Sequence, residues 1–477
     1  MATIPASTST TTRAGLTERL AEAVLTTDIP ASLHEQTIRH ALVDTLAVST
    51  AAAGEDGLRR LRSVTESVDP AGSVAAPHPS AHWAPDAAGG APSSAFLNGT
   101  AAHFLDFDDV SPTMPLHPSA VLVPALLAAD AGPLTFSRFA EAFNVGQAMF
   151  RTIAQALPSH EHYARGWHST STVGRLAAVA ALARLQGLDL TTTQTALAMA
   201  SSLASGSRAN FGTMTKPMHA GMSAQDALLA VRWARAGITA NVDELEAPSG
   251  YFARFGEAGG ASLATFSEDV EDRFGYWLTD WSFDWGLKRY PSCYGTHRAV
   301  DAVLDMRLDF RGDGSLEDIE SIDVLVHETG TAPLRTEPPR TGGEAKFSLE
   351  HCVALALVNG TIVLDDFTPS GFEAAGAARE LARRVTLGEE GAGREYATVS
   401  MSMAGGSRPD ATVYAARGDS SNPLTAADLK DKVASCFAYA GLPADGAGAG
   451  RLAAAVDGLA ADADVKELIT GWTGGAP

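Results

Sequence analysis

The amino-acid sequence predicts a mainly α fold: a large all-helical domain built from both chain ends, with a smaller α+β domain inserted between them. Three observations lead there. At 477 residues the chain exceeds what one hydrophobic core usually organises, so two domains are expected. Apolar residues recur with helical spacing through about residue 285. From there the texture turns to β-branched residues in partial alternation, and helical spacing returns after about residue 410.

The first stretch, MATIPASTSTTTRAG, is polar and has neither a basic start nor an apolar centre, so residues 1–14 read as a flexible tail and not a signal peptide. Helices are expected over about 31–53, 94–106, 119–131, 136–156, 172–187, 191–205 and 219–236, which are rich in Ala and Leu and bounded by Gly, Pro and Ser/Thr capping signals. STVGRLAAVAALARLQG is apolar on nearly every face, which predicts a helix buried among helices. In the inserted domain, 286–409, strands are expected at IESIDVLVHET (319–329) and YATVSMSM (396–403), and helices at 346–359 and 374–385. NPLTAADLKDKVASCFAYAG and GRLAAAVDGLAADA return to helix, so 410–473 joins 15–285 in the helical domain.

Composition removes several function classes. The residues are 45% hydrophobic and 19% charged, a globular balance. The formal charge of −21, without a basic patch, excludes nucleic acid and anionic membranes as expected partners. The most apolar windows, such as AVLVPALLAADAG, are shorter than the roughly 20 residues a spanning helix needs. Cys293, Cys352 and Cys436 form no CxxC pair, which fits neither a disulfide framework nor a structural zinc site and points to a reducing cytoplasm.

One stretch stands out chemically. NGTAAHFLDFDDVSPTMPLHPSA (98–120) packs His103, Asp106, Asp108, Asp109 and His117 into an otherwise apolar, turn-like segment. No HExxH or other tight ligand spacing supports a metal site, and DFDDV lacks the DDxxD spacing of a magnesium-diphosphate motif. A capped, solvated loop explains any one of these residues but not all five beside apolar helices. GWHSTSTVG (166–174) adds His168, GTMTKPMHAG (212–221) adds Lys216 and His219, and LKRYPSCYGTHRAVDA (287–302) adds Lys288. Only six of the 35 basic residues are Lys, so a Lys inside a His/Ser/Thr-rich loop reads as a compact, poised cation and not as generic surface charge.

AFLNGTAAHFLDFDDV, HPSAVLVPALLA, GWHSTSTVGRLAAVAALARLQGLD, GTMTKPMHAGMSAQDALLAVRWARAGITA, LKRYPSCYGTHRAVDAVL and AKFSLEHCVALALVNGTIVLDDF follow in the order of the motifs of the MmgE/PrpD family, which the chain resembles from about residue 15 to 470. That family includes 2-methylcitrate dehydratase, cis-aconitate decarboxylase and iminodisuccinate epimerase. The resemblance implies a large helical domain, a smaller lid domain, a homodimer, and a site between the two domains that works without metal or organic cofactor. In the decarboxylase branch the active-site positions match Asp106, His117, His168, Lys216 and Lys288. Three others depart: Val110 stands in place of Thr, Cys293 in place of His, and His351 in place of Tyr.

Chemistry next to a carboxylate builds negative charge on an anionic group, so fixed cations must meet it; Lys216 and Lys288 are expected as carboxylate clamp and enolate stabiliser. His168 and His117 are candidates for general base and acid, and Asp106 for orienting a His or receiving a substrate hydroxyl. Arg208, Tyr290, Cys293, Tyr294 and His351 are candidate substrate-binding residues; Asp108 and Asp109 are expected to cap and brace the loop, with His219 and His297 in support. The expected activity is a cofactor-independent lyase that eliminates water from a tricarboxylate or related hydroxy-acid, resembling 2-methylcitrate dehydratase. An epimerase, a decarboxylase, or a catalytically silent dimeric binding protein are the alternatives.

Overall fold

A computed structural model describes residues 14–30, 32–68, 90–114, 116–157, 159–256, 261–309, 316–328, 330–391 and 395–474; the expected tail falls almost wholly outside them. The fold is mainly α. The helices Leu16–Thr26, Glu35–Ala52, Gly90–Phe104, Ser119–Leu127, Phe136–Gln155, Ser169–Gln186, Leu190–Leu203 and Thr215–Arg235 pack around one core, and Ala426–Tyr439 and Ala449–Asp457 return to pack on Glu35–Ala52. Local chemistry starts and stops several of them. The Thr135, Asp189 and Thr425 side chains accept from backbone N–H groups three residues on, and Gly187 ends Ser169–Gln186 in the left-handed conformation. Ser169–Gln186 is buried along nearly its whole length, as its all-round apolar sequence predicts.

Two helices approach closely enough to matter for the site. A Cβ on Gly99 would lie 2.8 Å from Gly221 Cα, so Gly90–Phe104 and Thr215–Arg235 cross backbone against backbone. That crossing brings the end of the first helix, with His103, beside the start of the second, with Lys216.

Several boundaries differ from the sequence reading. Gly90–Phe104 stops before Asp106 because Asp106 takes φ +55°, outside any helix. The helix expected from 219 starts at Thr215, which puts Lys216 in its first turn and not in a loop. The segment 374–385 is broken into Pro369–Ala374 and Gly376–Ala382. Val270–Asp280, where no helix was expected, buries Phe274, Trp277 and Leu278 at helical spacing.

A second core gathers residues 290–403 with Tyr163 and Phe211. Its sheet has the order Val385–Glu389, Ile319–Val326, Ala397–Met403, Asp410–Val413; the first pair is parallel and the other two antiparallel. The two central strands are those expected, while the outer strands are short and flank them. Asp410–Val413 lies just past the 409 limit drawn from sequence texture; its polar–apolar alternation, DATV, spans only four residues. The helices His297–Asp309 and Leu349–Asn359 pack on this sheet. Among the described residues no helix is long and apolar enough to cross a membrane.

Candidate active site

After Phe104 the chain turns through 105–108 into a two-residue strand, Asp109–Val110, which pairs antiparallel with Gly286–Leu287. Asp106 lies in this turn in the left-handed region, a conformation costing a non-Gly residue roughly 1–2 kcal/mol, though Asp tolerates it better than most. Two ammonium groups hold it there. Lys216 Nζ donates to Asp106 Oδ1, and Lys288 Nζ donates to both Asp106 Oδ2 and the Asp106 carbonyl, each at 2.9 Å. All three side chains are buried. Burial alone would raise the Asp106 carboxyl, but Lys216 and Lys288 outweigh it and hold it well below the usual carboxylate range. Burial would lower Lys288, and the same carboxylate reverses this and leaves it raised.

Imidazoles surround this ion cluster. His103 Nδ1 donates to Asp108 Oδ2 at 2.7 Å, and His117 Nδ1 donates to the Asp109 carbonyl at 2.8 Å while lying 3.4 Å from the Asp108 carboxylate. Asp108 is ionised: burial would raise it, but His103 and His117 more than compensate. His103 is pushed down to about 3 by burial, which Asp108 only partly offsets. His168, the residue before Ser169–Gln186, faces His219 with 3.0 Å between their Nδ1 atoms and leaves Nε2 buried without a hydrogen-bond partner. Burial first, then the Lys216 charge, hold His168 well below its ordinary value, so it is a neutral imidazole at physiological pH. This narrows the sequence expectation: a neutral imidazole accepts a proton before it can give one.

A cleft with about 90 Å³ of free space opens beside these groups. Asp106, His117, His168, Lys216, Cys293 and Tyr294 all line it, together with Val110 and Arg298. Lys288 lies fully buried behind Asp106 and reaches the cleft only through that carboxylate. Burial and the nearby Asp106 push the Cys293 thiol up to about 11, so it is a neutral thiol. Tyr294 donates its hydroxyl to Asp419 at 2.9 Å. Asp109 braces the loop as expected, accepting from the Ser119 N–H at 3.1 Å, the Ser119 hydroxyl at 2.6 Å and the Trp285 indole at 2.7 Å.

Three expected substrate-binding residues are placed elsewhere. Arg208 donates to the Leu334 carbonyl at 3.1 Å, on a separate surface groove. Tyr290 donates to Asp301 at 2.7 Å and stays in the second core. His351 sits against Phe372, 5.6 Å between ring centres, with neither ring nitrogen bonded. Sequence adjacency to a motif does not fix which way a helical or turn side chain points, and each of these is spent on local packing.

The sequence reading missed Lys346 and Lys432, both buried, which donate to the carbonyls of Leu105 and Phe107 at 2.7 Å each. Their signal was present: the scarcity of lysine that singled out Lys216 and Lys288 applies to all six. His103, Asp108 and His117 also come together, with candidate ligand atoms within 4.8 Å of one another despite their loose sequence spacing. Their facing Nδ1 atoms carry protons committed to Asp108 and to the Asp109 carbonyl, so the trio is organised as a hydrogen-bonded acid–base cluster.

A buried carboxylate clamped by two ammonium groups, with the imidazoles of His117 and His168 on the same cleft, brings together groups that can hold an anion and move a proton. The comparisons give the family. The MmgE/PrpD N-terminal domain matches residues 18–263 and the MmgE/PrpD C-terminal domain residues 290–447, and the chain belongs to the MmgE/PrpD family. It is similar to the cis-aconitate decarboxylase of Mus musculus, 27% identical over 357 residues that cover 71% of this chain and 70% of the relative. The cis-aconitate decarboxylase of Homo sapiens is 30% identical over 285 residues, 57% of this chain and 56% of the relative. A cis-aconitate decarboxylase-like protein of Aspergillus oryzae is 25% identical over 366 residues, 72% and 73% of the two chains.

Proposed function

We propose that the protein is a lyase acting on a small di- or tricarboxylate, at a carbon next to a carboxylate group. The observation that carries this is Asp106 held between Lys216 and Lys288, with His117 and His168 on the same cleft. Lys216 has donors to spare beyond Asp106 and lines the cleft, so it takes the substrate carboxylate. Lys288 acts through Asp106, fixing it. When a bond to the neighbouring carbon breaks, its electron pair is delocalised into that carboxylate, and Lys216 meets the growing charge in a site poor in water. His168 Nε2 accepts a proton. His117, whose Nδ1–H is committed to Asp109, has Nε2 as its reactive nitrogen.

The first reaction to test is decarboxylation of cis-aconitate, because the relatives carry that name. The C–C bond to the departing carboxyl breaks, carbon dioxide leaves, and an imidazole that has taken a proton from solvent delivers it to carbon. Elimination of water is the second reading, favoured by Cys293: its neutral thiol stands where the resembling decarboxylases have an imidazole, and cannot return a proton as an imidazolium does.

Proton NMR in deuterium oxide with cis-aconitate, citrate, 2-methylcitrate and iminodisuccinate, beside Lys216→Ala and His168→Ala variants, tests this. New olefinic signals with carbon dioxide released select decarboxylation; olefinic signals from the hydroxy-acids select dehydration. Both must vanish in the variants. Deuterium entering substrate without a new product makes the protein an epimerase, and silence with all four refutes the lyase reading for these substrates.

A further inference from the structure

Three consecutive backbone carbonyls, those of Leu105, Asp106 and Phe107, each accept a hydrogen bond from a different lysine. Lys346 reaches Leu105 at 2.7 Å, Lys288 reaches Asp106 at 2.9 Å and Lys432 reaches Phe107 at 2.7 Å. The donors come from three separate parts of the chain: the segment before Leu349–Asn359, the turn after Gly286–Leu287, and the helix Ala426–Tyr439. With Lys216 on the Asp106 side chain, four of the six lysines in a chain of 35 basic residues converge on one turn, and all four are buried. Burying an ammonium costs several kcal/mol unless it is well partnered, so four at one place need a common reason.

The place itself explains the residue type. The turn follows the C-terminus of Gly90–Phe104, where unpaired carbonyls and the helix dipole concentrate partial negative charge. A single carbonyl suits a compact ammonium, whereas the guanidinium fork suits paired acceptors. Lys432 is further tied to Asp44 of Glu35–Ala52 at 2.7 Å, and its ammonium lies 4.2 Å from the centre of the Phe107 ring.

We propose that Lys346 and Lys432 are positioning residues for the proposed reaction: with Lys288 they pin the carbonyls on either side of Asp106 and so hold its carboxylate in the left-handed geometry that meets Lys216 at the cleft. The effect on turnover rests on the function proposed above; the effect on the turn does not. Neither Lys346 nor Lys432 lines the cleft that holds His117 and His168; Lys346 borders a second cavity that Asp106 and Lys216 share, and both lysines meet the turn at its backbone carbonyls.

The test uses the full chain with Lys346→Met and, because Lys432→Met alone would strand a buried carboxylate, the double variant Lys432→Met/Asp44→Asn. Lys346→Arg serves as the conservative control, retaining a charged donor. Hydrogen–deuterium exchange is read on peptides spanning 100–112, and kcat and KM on cis-aconitate. The expected result is exchange at least tenfold faster in that turn, with the peptides of Phe136–Gln155 unchanged, and partial protection restored by Arg. In turnover, kcat falls about tenfold to a hundredfold while KM stays within about threefold, as for a reacting group displaced by a fraction of an ångström to 1 Å. Exchange unchanged in the turn, or faster equally everywhere, overturns the proposal. So does a kcat equal to wild type when wild type is active. If wild type is inactive on cis-aconitate, that substrate reading falls and the exchange result alone decides the positioning role.

Discussion

Replacing Lys288 by Met and Asp106 by Asn, singly and together, measures whether the buried ion cluster is one coupled unit. Lys288→Met keeps the volume of the side chain but leaves Asp106 with Lys216 as its ammonium partner. Removing one partner of a buried pair costs about 3–5 kcal/mol, and because Lys216 remains, the low end, about 3 kcal/mol, is expected. Asp106→Asn keeps a residue that tolerates φ +55°, so it removes charge without adding backbone strain. It leaves Lys216 and Lys288 buried without their shared counter-ion, again on the order of 3 kcal/mol. In the double variant one lost charge offsets the other, so the combined loss falls short of the sum by about 1–3 kcal/mol. Urea unfolding with a common m-value reads all four proteins. Losses that add within about 0.5 kcal/mol, or a Lys288→Met variant as stable as wild type, refute the coupling.

The remaining predictions concern titration, packing and reactivity. His103 and His297 are pushed down to about 3, and His162, His219 and His351 to about 4, in each case chiefly by burial, against about 6.5 in the unfolded chain. Depressed folded values mean their stabilising share is complete above about 6.5 and is lost as pH falls toward 4, each contributing a slope of up to about 1.4 kcal/mol per pH unit. The free energy of unfolding is therefore expected to fall by several kcal/mol between pH 6.5 and 4.5, and a flat profile would show that these rings are not buried neutral. Gly221→Ala drives a methyl into the Phe96 carbonyl and is expected to cost about 1–3 kcal/mol, whereas Gly275→Ala, in open space within Val270–Asp280, is expected to gain about 0.5–1 kcal/mol; thermal shifts of the same sign would contradict the close helix crossing. Native protein at pH 7 is expected to leave Cys293 unmodified by iodoacetamide over minutes, since its thiol titrates near 11, and rapid alkylation would reveal a stabilised thiolate.

How much of this was legible in the sequence depends on whether a feature is set locally. Helical periodicity and capping residues act within one turn, so Phe136–Gln155 and Leu190–Leu203 were visible with their Thr135 and Asp189 caps, and Ser169–Gln186 was visible from its all-round apolarity. The end of Gly90–Phe104 was not, because Asp106 is held outside the helix by lysines more than 100 residues away. Of the candidate residues, Asp106, His117, His168, Lys216, Cys293 and Tyr294 do meet at one cleft. Arg208, Tyr290 and His351 sit in or beside the same motifs yet turn away, since their directions are set by Leu334, Asp301 and Phe372, partners that spacing along the chain does not reveal. Lys346 and Lys432 were missed for a different reason: scarcity marked every lysine, but only a lysine in a His/Ser/Thr-rich loop was read as a site, whereas Lys346 stands in GGEAKFSLEH and Lys432 in the charged helical run AADLKDKVAS.

The distribution of charge also says how such a site changes state on meeting its substrate. The chain carries a formal −21, yet around the Asp106 turn Lys216, Lys288, Lys346 and Lys432 stand against the carboxyls of Asp44, Asp106, Asp108 and Asp109, four of each. Each carboxylate of a bound anion adds negative charge to that balance in a site where water screens little, and the effect grows from a monocarboxylate to a tricarboxylate. Binding a polyanion is therefore expected to raise the proton affinity of His168, which burial and Lys216 otherwise hold down. Proton uptake should accompany binding of a tricarboxylate and shrink for a monocarboxylate. Calorimetric titration of the unreactive tricarballylate in two buffers of different ionisation enthalpy reads that uptake directly: identical heats in both would mean that the substrate's charge does not charge the histidines.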